Sequence, residues 1–179
     1  MPDARALPAR LRTAQPWLST VARVGLAAVL IASGWLKLVD PDASVRAVRA
    51  YRLLPETLAR GVGFGLPVLE LALAALLLLG LGTRLAAAVF AALLVVFIIG
   101  VASVWARGLS IDCGCFGGGG QVAAGQTHYL REILRDVGLL VVALALAAFP
   151  RSRWSLDGAL RLTDDAAPVP GAGTSRSIR

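Results

Sequence analysis

An apolar run from Leu85 to Trp105 carries no charged residue, and it limits what this chain can fold into more than any other feature. A run of about 20 apolar residues is long enough to cross a lipid bilayer as a helix. Similar runs cover residues 17–38, 62–81 and 129–150, the last with charges in its first two turns. Because a membrane span must satisfy its backbone polar groups internally, each run predicts an α-helix.

Composition supports a membrane protein. The chain is 57% hydrophobic and 16% charged, and its mean hydropathy is +0.73, which is too apolar for a soluble domain of this length. The net charge is +7, and arginine supplies all but one of the 18 basic residues. These arginines lie between and beside the apolar runs, where a membrane protein meets anionic lipid head groups. Aromatic and basic residues do not alternate as they do in nucleic-acid binders, so we expect lipid and not nucleic acid as a partner.

The predicted fold class is all-α: a polytopic membrane protein in which four transmembrane helices form a bundle over residues 17–150. Residues 1–16 predict a disordered lead-in, and residues 151–179, rich in Pro, Gly, Ser, Ala and Arg, predict a disordered tail. Between the first two spans, residues 44–54 alternate basic and apolar positions at helical spacing. This segment predicts either a short interfacial helix or a solvated helix that only links the spans.

Glu70 lies inside the second predicted span, close to Pro67. The proline kinks the helix and frees a backbone carbonyl. The carboxylate lies about 12 Å along the helix from the start of the span, at about 1.5 Å per residue. At such a depth it must be protonated, paired or in a wet cavity. A functional carboxylate and a structural salt bridge both remain open.

Four crossings bring one set of ionisable groups to one end of the bundle, whichever side of the membrane that end faces. The charge-free part of the fourth run covers only about 20 Å, less than the roughly 30 Å hydrocarbon core. Its first two turns must therefore lie at the interface or face the bundle interior. The gathered groups are Lys37, Glu70, the cysteine loop over residues 106–128, His128 and the charged set Arg131, Glu132, Arg135 and Asp136.

Both cysteines of the chain, Cys113 and Cys115, flank Gly114 in a glycine-rich loop. Alpha carbons two residues apart can lie within the distance that a disulfide requires, but the ring is strained and should be easily reduced. This geometry favours dithiol–disulfide exchange over static bracing, although an inert pair also remains open. Asp112 would raise the thiol pKa, whereas Lys37 or Arg135 would lower it; the sequence leaves the balance open.

A soft metal is the second chemical interpretation of the pair. Its ligands would be Cys113, Cys115 and His128, with Asp112 or Glu132 as a further donor. The spacing matches no common structural zinc pattern, and a lone histidine is more often a polar cap residue.

The Lys and Arg counts near the span ends are balanced, so they do not orient the protein. A cysteine pair kept for disulfide chemistry suits an oxidising compartment. We therefore expect a cell-membrane protein with an extracytoplasmic cysteine loop and two cytoplasmic termini.

Five segments follow one another along the chain: GWLKLVDP (34–41), YRLLP (51–55), LPVLE (66–70), DCGCFG (112–117) and REILRD (131–136). In this order they resemble the MauE family of methylamine-utilisation membrane proteins, which is related to DoxX-type four-helix proteins. The resemblance implies four membrane helices and a role in maturing a disulfide-rich partner. In that system the partner is the small subunit of methylamine dehydrogenase, with a thioredoxin-like protein alongside. The resemblance also implies that Cys113 and Cys115 are the redox pair, and that Lys37, Glu70 and Arg135 belong to the motif framework.

We therefore predict a membrane thiol–disulfide oxidoreductase that assists disulfide formation in an extracytoplasmic partner. One thiolate attacks the partner disulfide and the second thiol resolves the mixed disulfide. The chain has no second cysteine pair to relay electrons. Either a quinone binds beside the loop or, as we favour, a thioredoxin-like partner supplies the second dithiol.

The alternative functions are those of a copper- or zinc-handling membrane protein and of a non-enzymatic scaffold for such a partner. The predicted site comprises Cys113 and Cys115, supported by Lys37, Glu70, Asp112, Gly114 and Arg135.

Overall fold

The computed structural model describes residues 9–123 and 125–150, with side chains from residue 15 onward. Most of this part is helical, which confirms the mostly helical prediction. The predicted disordered tail and residues 1–8 of the lead-in lie outside it. The elements are α1 (Ala9–Val39), α2 (Pro41–Ala50), α3 (Glu56–Leu79), α4 (Thr83–Ala106), β1 (Ile111–Asp112), β2 (Gly120–Gln121) and α5 (Tyr129–Ala148).

The first helix begins earlier than the sequence indicates. We predict a disordered lead-in up to residue 16, but α1 starts at Ala9 and continues through Pro16. Proline fits the first turn of a helix better than its interior, and it is therefore a natural place to expect a boundary. The helix nevertheless extends beyond the apolar run.

Three of the described helices are long and apolar enough to cross a membrane: α1 over Gln15–Val39, α3 and α4. The fourth predicted span, α5, does not meet the same criterion, because four charged residues occupy its first two turns. It nevertheless runs antiparallel along α4: Phe90 and Leu94 pack in one cluster with Leu146, and Val101 and Val104 pack in another with Tyr129.

The helices pack on each other through a narrow interior. Leu26, Leu30, Leu77, Ala87 and Leu146 form its centre, at most 2% exposed. Large apolar side chains also cover the outside of the bundle, among them Val21, Ile31, Leu79, Val96 and Leu144. A soluble protein rarely exposes so continuous an apolar surface, whereas lipid chains are a suitable environment for it.

The short helix α2 corresponds to the interfacial helix predicted over residues 44–54, although it begins and ends earlier. Asp40 caps it by accepting a hydrogen bond from the Ala43 N–H at 2.9 Å, with Pro41 in the first turn. Ser44 donates to the Gly63 carbonyl at 2.8 Å, so α2 is fixed to α3. Because Ala47 of α2 also lies against the cysteine loop, this helix does more than link two spans.

We predict that Gly63→Ala destabilises the protein by about 1–3 kcal/mol, since overpacking forces neighbouring groups to shift. A Cβ on Gly63 would lie 2.7 Å from the Cα of Val45. Gly61→Ala and Gly65→Ala are matched controls on the same helix, where a Cβ meets nothing within 4 Å; they should be neutral or stabilising by up to about 1 kcal/mol. Thermal unfolding in detergent, followed by circular dichroism, measures the difference. Equal melting temperatures for all three variants would contradict the close approach of α2.

Candidate functional site

The structure gathers side chains from four helices and the loop around one small cavity. Its volume is about 40 Å³, enough for about one to three water molecules. The predicted residues Lys37, Glu70, Cys115 and Arg135 meet here, although α1, α3, the loop and α5 supply one each. The other polar or aromatic side chains on its wall are Ser33, Phe90, Phe97, Phe116 and Asp136.

The cysteine turn is closed by the small hairpin of β1 and β2. Ile111 pairs with Gln121, and Asp112 pairs with Gly120. Inside the turn, the Asp112 carboxylate accepts the Gly114 N–H at 2.9 Å. Gly114 has a φ of +69°, and a Cβ there would lie 2.5 Å from the Cβ of Ala47. Glycine is therefore required at position 114 both by the backbone conformation and by the neighbouring helix.

The two thiols are free and touch each other. The Cys113 thiol donates to the Cys115 sulfur at 3.0 Å, about 1 Å longer than a disulfide bond. Cys113 is 6% exposed, whereas Cys115 is only half-buried. The pair can therefore close into a disulfide with small movements, and Cys115 is the more accessible sulfur.

The surroundings make the two sulfurs chemically unequal. The hydrogen bond from Cys113 lowers the pKa of Cys115, and the cations of Arg135 and Lys37 act in the same direction against burial and the Asp136 charge. The same hydrogen bond, together with burial, raises the pKa of Cys113. Of the two sulfurs, Cys115 therefore loses its proton more readily, and Cys113 is the thiol that donates to it.

A buried ion pair lies directly behind the turn. The Lys37 ammonium is 2.5 Å from Glu70 Oε1, and both side chains are at most 5% exposed. Of the two possibilities for Glu70, the structure contains the salt bridge. Ser33 connects this pair to the turn: its hydroxyl lies 3.1 Å from Glu70 Oε2, 2.7 Å from the Cys115 carbonyl and 2.9 Å from the Lys37 ammonium. Ser33 was not among the predicted site residues, although its position four residues before Lys37 places both on one helix face.

Arg135 lies over the turn from α5. Its guanidinium bonds Asp136 Oδ1 at 2.9–3.0 Å and lies over the Phe116 ring, 4.8 Å from its centroid. Asp136 is 3% exposed, so this second ion pair holds Arg135 close to Cys115. Phe116 is the residue after Cys115, and it forms the outer face of the cation–π contact.

Two tyrosines hold the backbone of the turn. The Tyr51 hydroxyl donates to the Cys113 carbonyl at 3.2 Å, and burial raises the pKa of Tyr51, which keeps the phenol protonated. The Tyr129 hydroxyl accepts the Ile111 N–H at 2.8 Å and donates to the Leu109 carbonyl at 2.6 Å. Neither role follows from sequence spacing, because each tyrosine acts across a distance of 18 residues or more along the chain.

The structure changes the ligand set of the metal interpretation. His128 is exposed at the N-terminus of α5 and makes no side-chain capping bond. It does not belong to the donor group found among the described residues, in which Asp112, Cys113 and Glu132 each place one ligand atom within 4.8 Å of the others.

The described helices have apolar outer faces and pack around a turn with two thiols, a buried ion pair and a second, partly buried ion pair. These features define an integral membrane protein with a paired-cysteine site. A model of the family described as methylamine utilisation protein MauE matches residues 15–149. The chain belongs to the MauE family, which confirms the resemblance.

Curated relatives support this assignment. The methylamine utilization protein MauE of Paracoccus denitrificans is 35% identical over 140 residues, covering 77% of this chain and 75% of the relative. The protein of the same name from Methylorubrum extorquens is 37% identical over 137 residues, covering 75% and 70%. No solved structure matches the chain significantly.

We predict that Lys37→Met lowers the stability of the protein by about 3–5 kcal/mol, because it leaves Glu70 as an uncompensated buried charge. The double variant Lys37→Met/Glu70→Gln should recover much of this loss, since it removes the unpaired charge at this position. Thermal unfolding in detergent provides the measurement. A double variant less stable than Lys37→Met would contradict the pairing of these two residues.

We also predict that Arg135→Gln slows iodoacetamide alkylation of Cys115 near pH 7 by roughly 3- to 10-fold, because a higher pKa reduces the thiolate fraction. The rates should converge at a pH above both pKa values, where the thiolate is complete in both proteins. Arg131→Gln, which removes the same charge from an exposed position one turn earlier, is the matched control. Mass spectrometry of the modified peptide measures the rate. Equal slowing in both variants would contradict a specific role for Arg135.

Proposed function

We propose that this protein is a membrane thiol–disulfide oxidoreductase that exchanges disulfides with an extracytoplasmic partner through Cys113 and Cys115. The observation that carries this proposal is the contact of two free thiols in unequal surroundings. Cys115 is accessible, and its pKa is lowered. Cys113 is buried, its pKa is raised, and its sulfur lies 3.0 Å from the Cys115 sulfur, close enough to complete the exchange. Such an attacking and resolving pair is the minimum that a dithiol exchange needs.

The topology we propose has four membrane crossings, with α5 as the fourth. This helix has 20 residues, so it extends over about 30 Å, close to the thickness of the hydrocarbon core. The charges in its first turns do not exclude a crossing. Asp136 is buried in the bundle and paired with Arg135, and Arg131, in the first turn, can reach the interface.

The proposed orientation places the cysteine turn on the extracytoplasmic face and both termini in the cytoplasm. An even number of crossings returns the chain to the side on which it began. Disulfides form and persist in oxidising compartments. An extracytoplasmic turn would therefore be on the same side of the membrane as proteins that contain disulfides.

In the first chemical step, the Cys115 thiolate attacks one sulfur of the partner disulfide. A Cys115–partner disulfide forms, and the other partner sulfur leaves as a thiolate. In the second step, the Cys113 sulfur attacks Cys115, the Cys113–Cys115 disulfide forms, and the partner leaves with both sulfurs reduced. Two electrons have passed to the partner, and the reverse sequence oxidises a partner dithiol.

The surrounding residues support these steps. Arg135 and Lys37 stabilise the Cys115 thiolate electrostatically. Glu70 anchors Lys37, and Ser33 ties that pair to the Cys115 carbonyl. Gly114 and the Asp112 carboxylate shape the turn so that both sulfurs face each other.

The partner we propose is a thioredoxin-like thiol protein that supplies the second dithiol. A quinone is the other candidate for the electron carrier, but the cavity beside Cys115 has about 40 Å³, far below the roughly 300 Å³ of common ligand pockets. Since the relatives are named methylamine utilization proteins, we propose that the client is a disulfide-rich protein of that pathway.

Metal handling is a second candidate, favoured by the donor group of Asp112, Cys113 and Glu132. Copper and zinc both accept thiolate and carboxylate ligands. In that case the purified protein would bind zinc or copper stoichiometrically, and Cys113→Ser would abolish the binding.

We predict that alkylation trapping in intact cells finds the Cys113–Cys115 pair partly as a disulfide and labels its reduced fraction without permeabilisation. Cys113→Ser should accumulate a mixed disulfide through Cys115, because the resolving thiol is missing. Cys115→Ser, the matched control, should not accumulate it. Thiols that stay reduced and label only after permeabilisation would contradict the outward-facing exchange site. Partner maturation that survives replacement of both cysteines would favour a scaffold.

A further inference from the structure

Glu132 is the one acidic group beside the thiol pair that the exchange mechanism does not yet use. It lies in the first turn of α5, and one of its carboxylate oxygens is within 4.8 Å of the Cys113 sulfur. A separation of this size can be bridged by one water molecule.

The carboxylate also has a buried oxygen without a partner. Glu132 Oε2 is fully buried, and no described residue donates a hydrogen bond to it. Among the described residues no cation pairs with it: the guanidinium of Arg135, one turn along the same helix, bonds Asp136 instead. A buried acceptor left unsatisfied costs free energy, so an unpaired carboxylate beside a thiol needs an explanation.

The second exchange step creates a need for a base at this position. Cys113 is 6% exposed, and its thiol donates a hydrogen bond to the Cys115 sulfur at 3.0 Å, so it carries a proton before the exchange. Once Cys115 is in the mixed disulfide, Cys113 must lose its proton before it can attack. Hydroxide reaches such a site poorly, so a carboxylate within reach of the thiol is the suitable proton acceptor.

Resting on the proposed exchange function, we propose that Glu132 accepts the proton of Cys113 when that thiol resolves the mixed disulfide. The proton passes from Cys113 to the Glu132 carboxylate, the Cys113 sulfur bonds Cys115, and the partner sulfur leaves with the electron pair of the broken bond. In the reverse direction, protonated Glu132 returns its proton to Cys113 as the intramolecular disulfide opens.

The other groups around Cys113 are less suited to this role. Asp112 is exposed and already accepts the Gly114 N–H, and α4 contributes only the apolar Val101 and Val104. Tyr51 donates its proton to the Cys113 carbonyl. The titratable and charged groups around Cys113 are Asp112 and Cys115 from the loop, Tyr51 at the end of α2, and Tyr129, Glu132 and Arg135 from α5.

The test uses the full-length reduced protein in detergent with EDTA and the chromogenic disulfide dithiobis(nitrobenzoate). Attack by Cys115 releases the first thionitrobenzoate, and resolution by Cys113 releases the second, so the two steps appear as separate phases. We expect Glu132→Gln to leave the first phase unchanged and to slow the second about 100-fold, the scale of general base catalysis. Glu132→Asp, which keeps the carboxylate, should recover part of the second phase.

The pH profile distinguishes a proton acceptor from a structural residue. In the wild type the rate of the second phase should vary little between about pH 6 and 8, because the protein itself supplies the proton acceptor. In Glu132→Gln it should rise about tenfold per pH unit, because the thiolate must then form in bulk solvent. Glu56→Gln is the matched control, since it removes an exposed carboxylate that pairs with Arg49 and Arg60; it should behave as the wild type.

Three other outcomes would contradict the proposed role of Glu132, and each points to a different cause. A Glu132→Gln variant with both phases and the pH profile of the wild type removes Glu132 from the mechanism, while the exchange function stands. A wild type that releases only one thionitrobenzoate contradicts the exchange function itself. A difference between wild type and variant that appears only when zinc replaces EDTA assigns the carboxylate to a metal.

Discussion

Everything at the cysteine end of the bundle depends on how Lys37 and Glu70 are neutralised. Moving either charge into an apolar interior costs several kcal/mol, and only close pairing with further hydrogen bonds offsets that cost. The two side chains meet at 2.5 Å, and Ser33 bonds both of them. Ser33 also donates a hydrogen bond to the Cys115 carbonyl. The ion pair that joins α1 to α3 is therefore also connected to the cysteine turn.

The difference between the two cysteines arises from their positions and not from their chemistry. One sulfur lies among Val101, Val104 and Tyr129 in an apolar cluster. The other faces Arg135 and the ion pair and takes the hydrogen bond from the first. A symmetric Cys-Gly-Cys sequence therefore gives an asymmetric pair, because the turn lies between an apolar cluster on one side and a polar cavity on the other.

Much of the helical frame and the site's location could be predicted from the sequence. The apolar runs predict α1, α3 and α4, and alternation of direction predicts that Lys37, Glu70 and Arg135 approach the cysteines. The rest depends on contacts that no local pattern encodes. Ala47 meets Gly114 across 67 positions of chain. The charges in the first turns of α5 are explained only once Asp136 is known to be buried and paired with Arg135. His128 lies apart because the start of a helix leaves its side chain exposed.

The fit between Ala47 and the turn has a consequence for the position of the two sulfurs. Hypothetical Cβ atoms on Gly114 and Gly119 would lie 2.5 Å and 2.4 Å from the Ala47 methyl, so the short helix and the hairpin are closely packed, without room for a further methyl group between them. A side chain larger than alanine at position 47 would therefore press against the hairpin. A shift of the short helix would displace the hairpin, and with it the turn that holds both sulfurs.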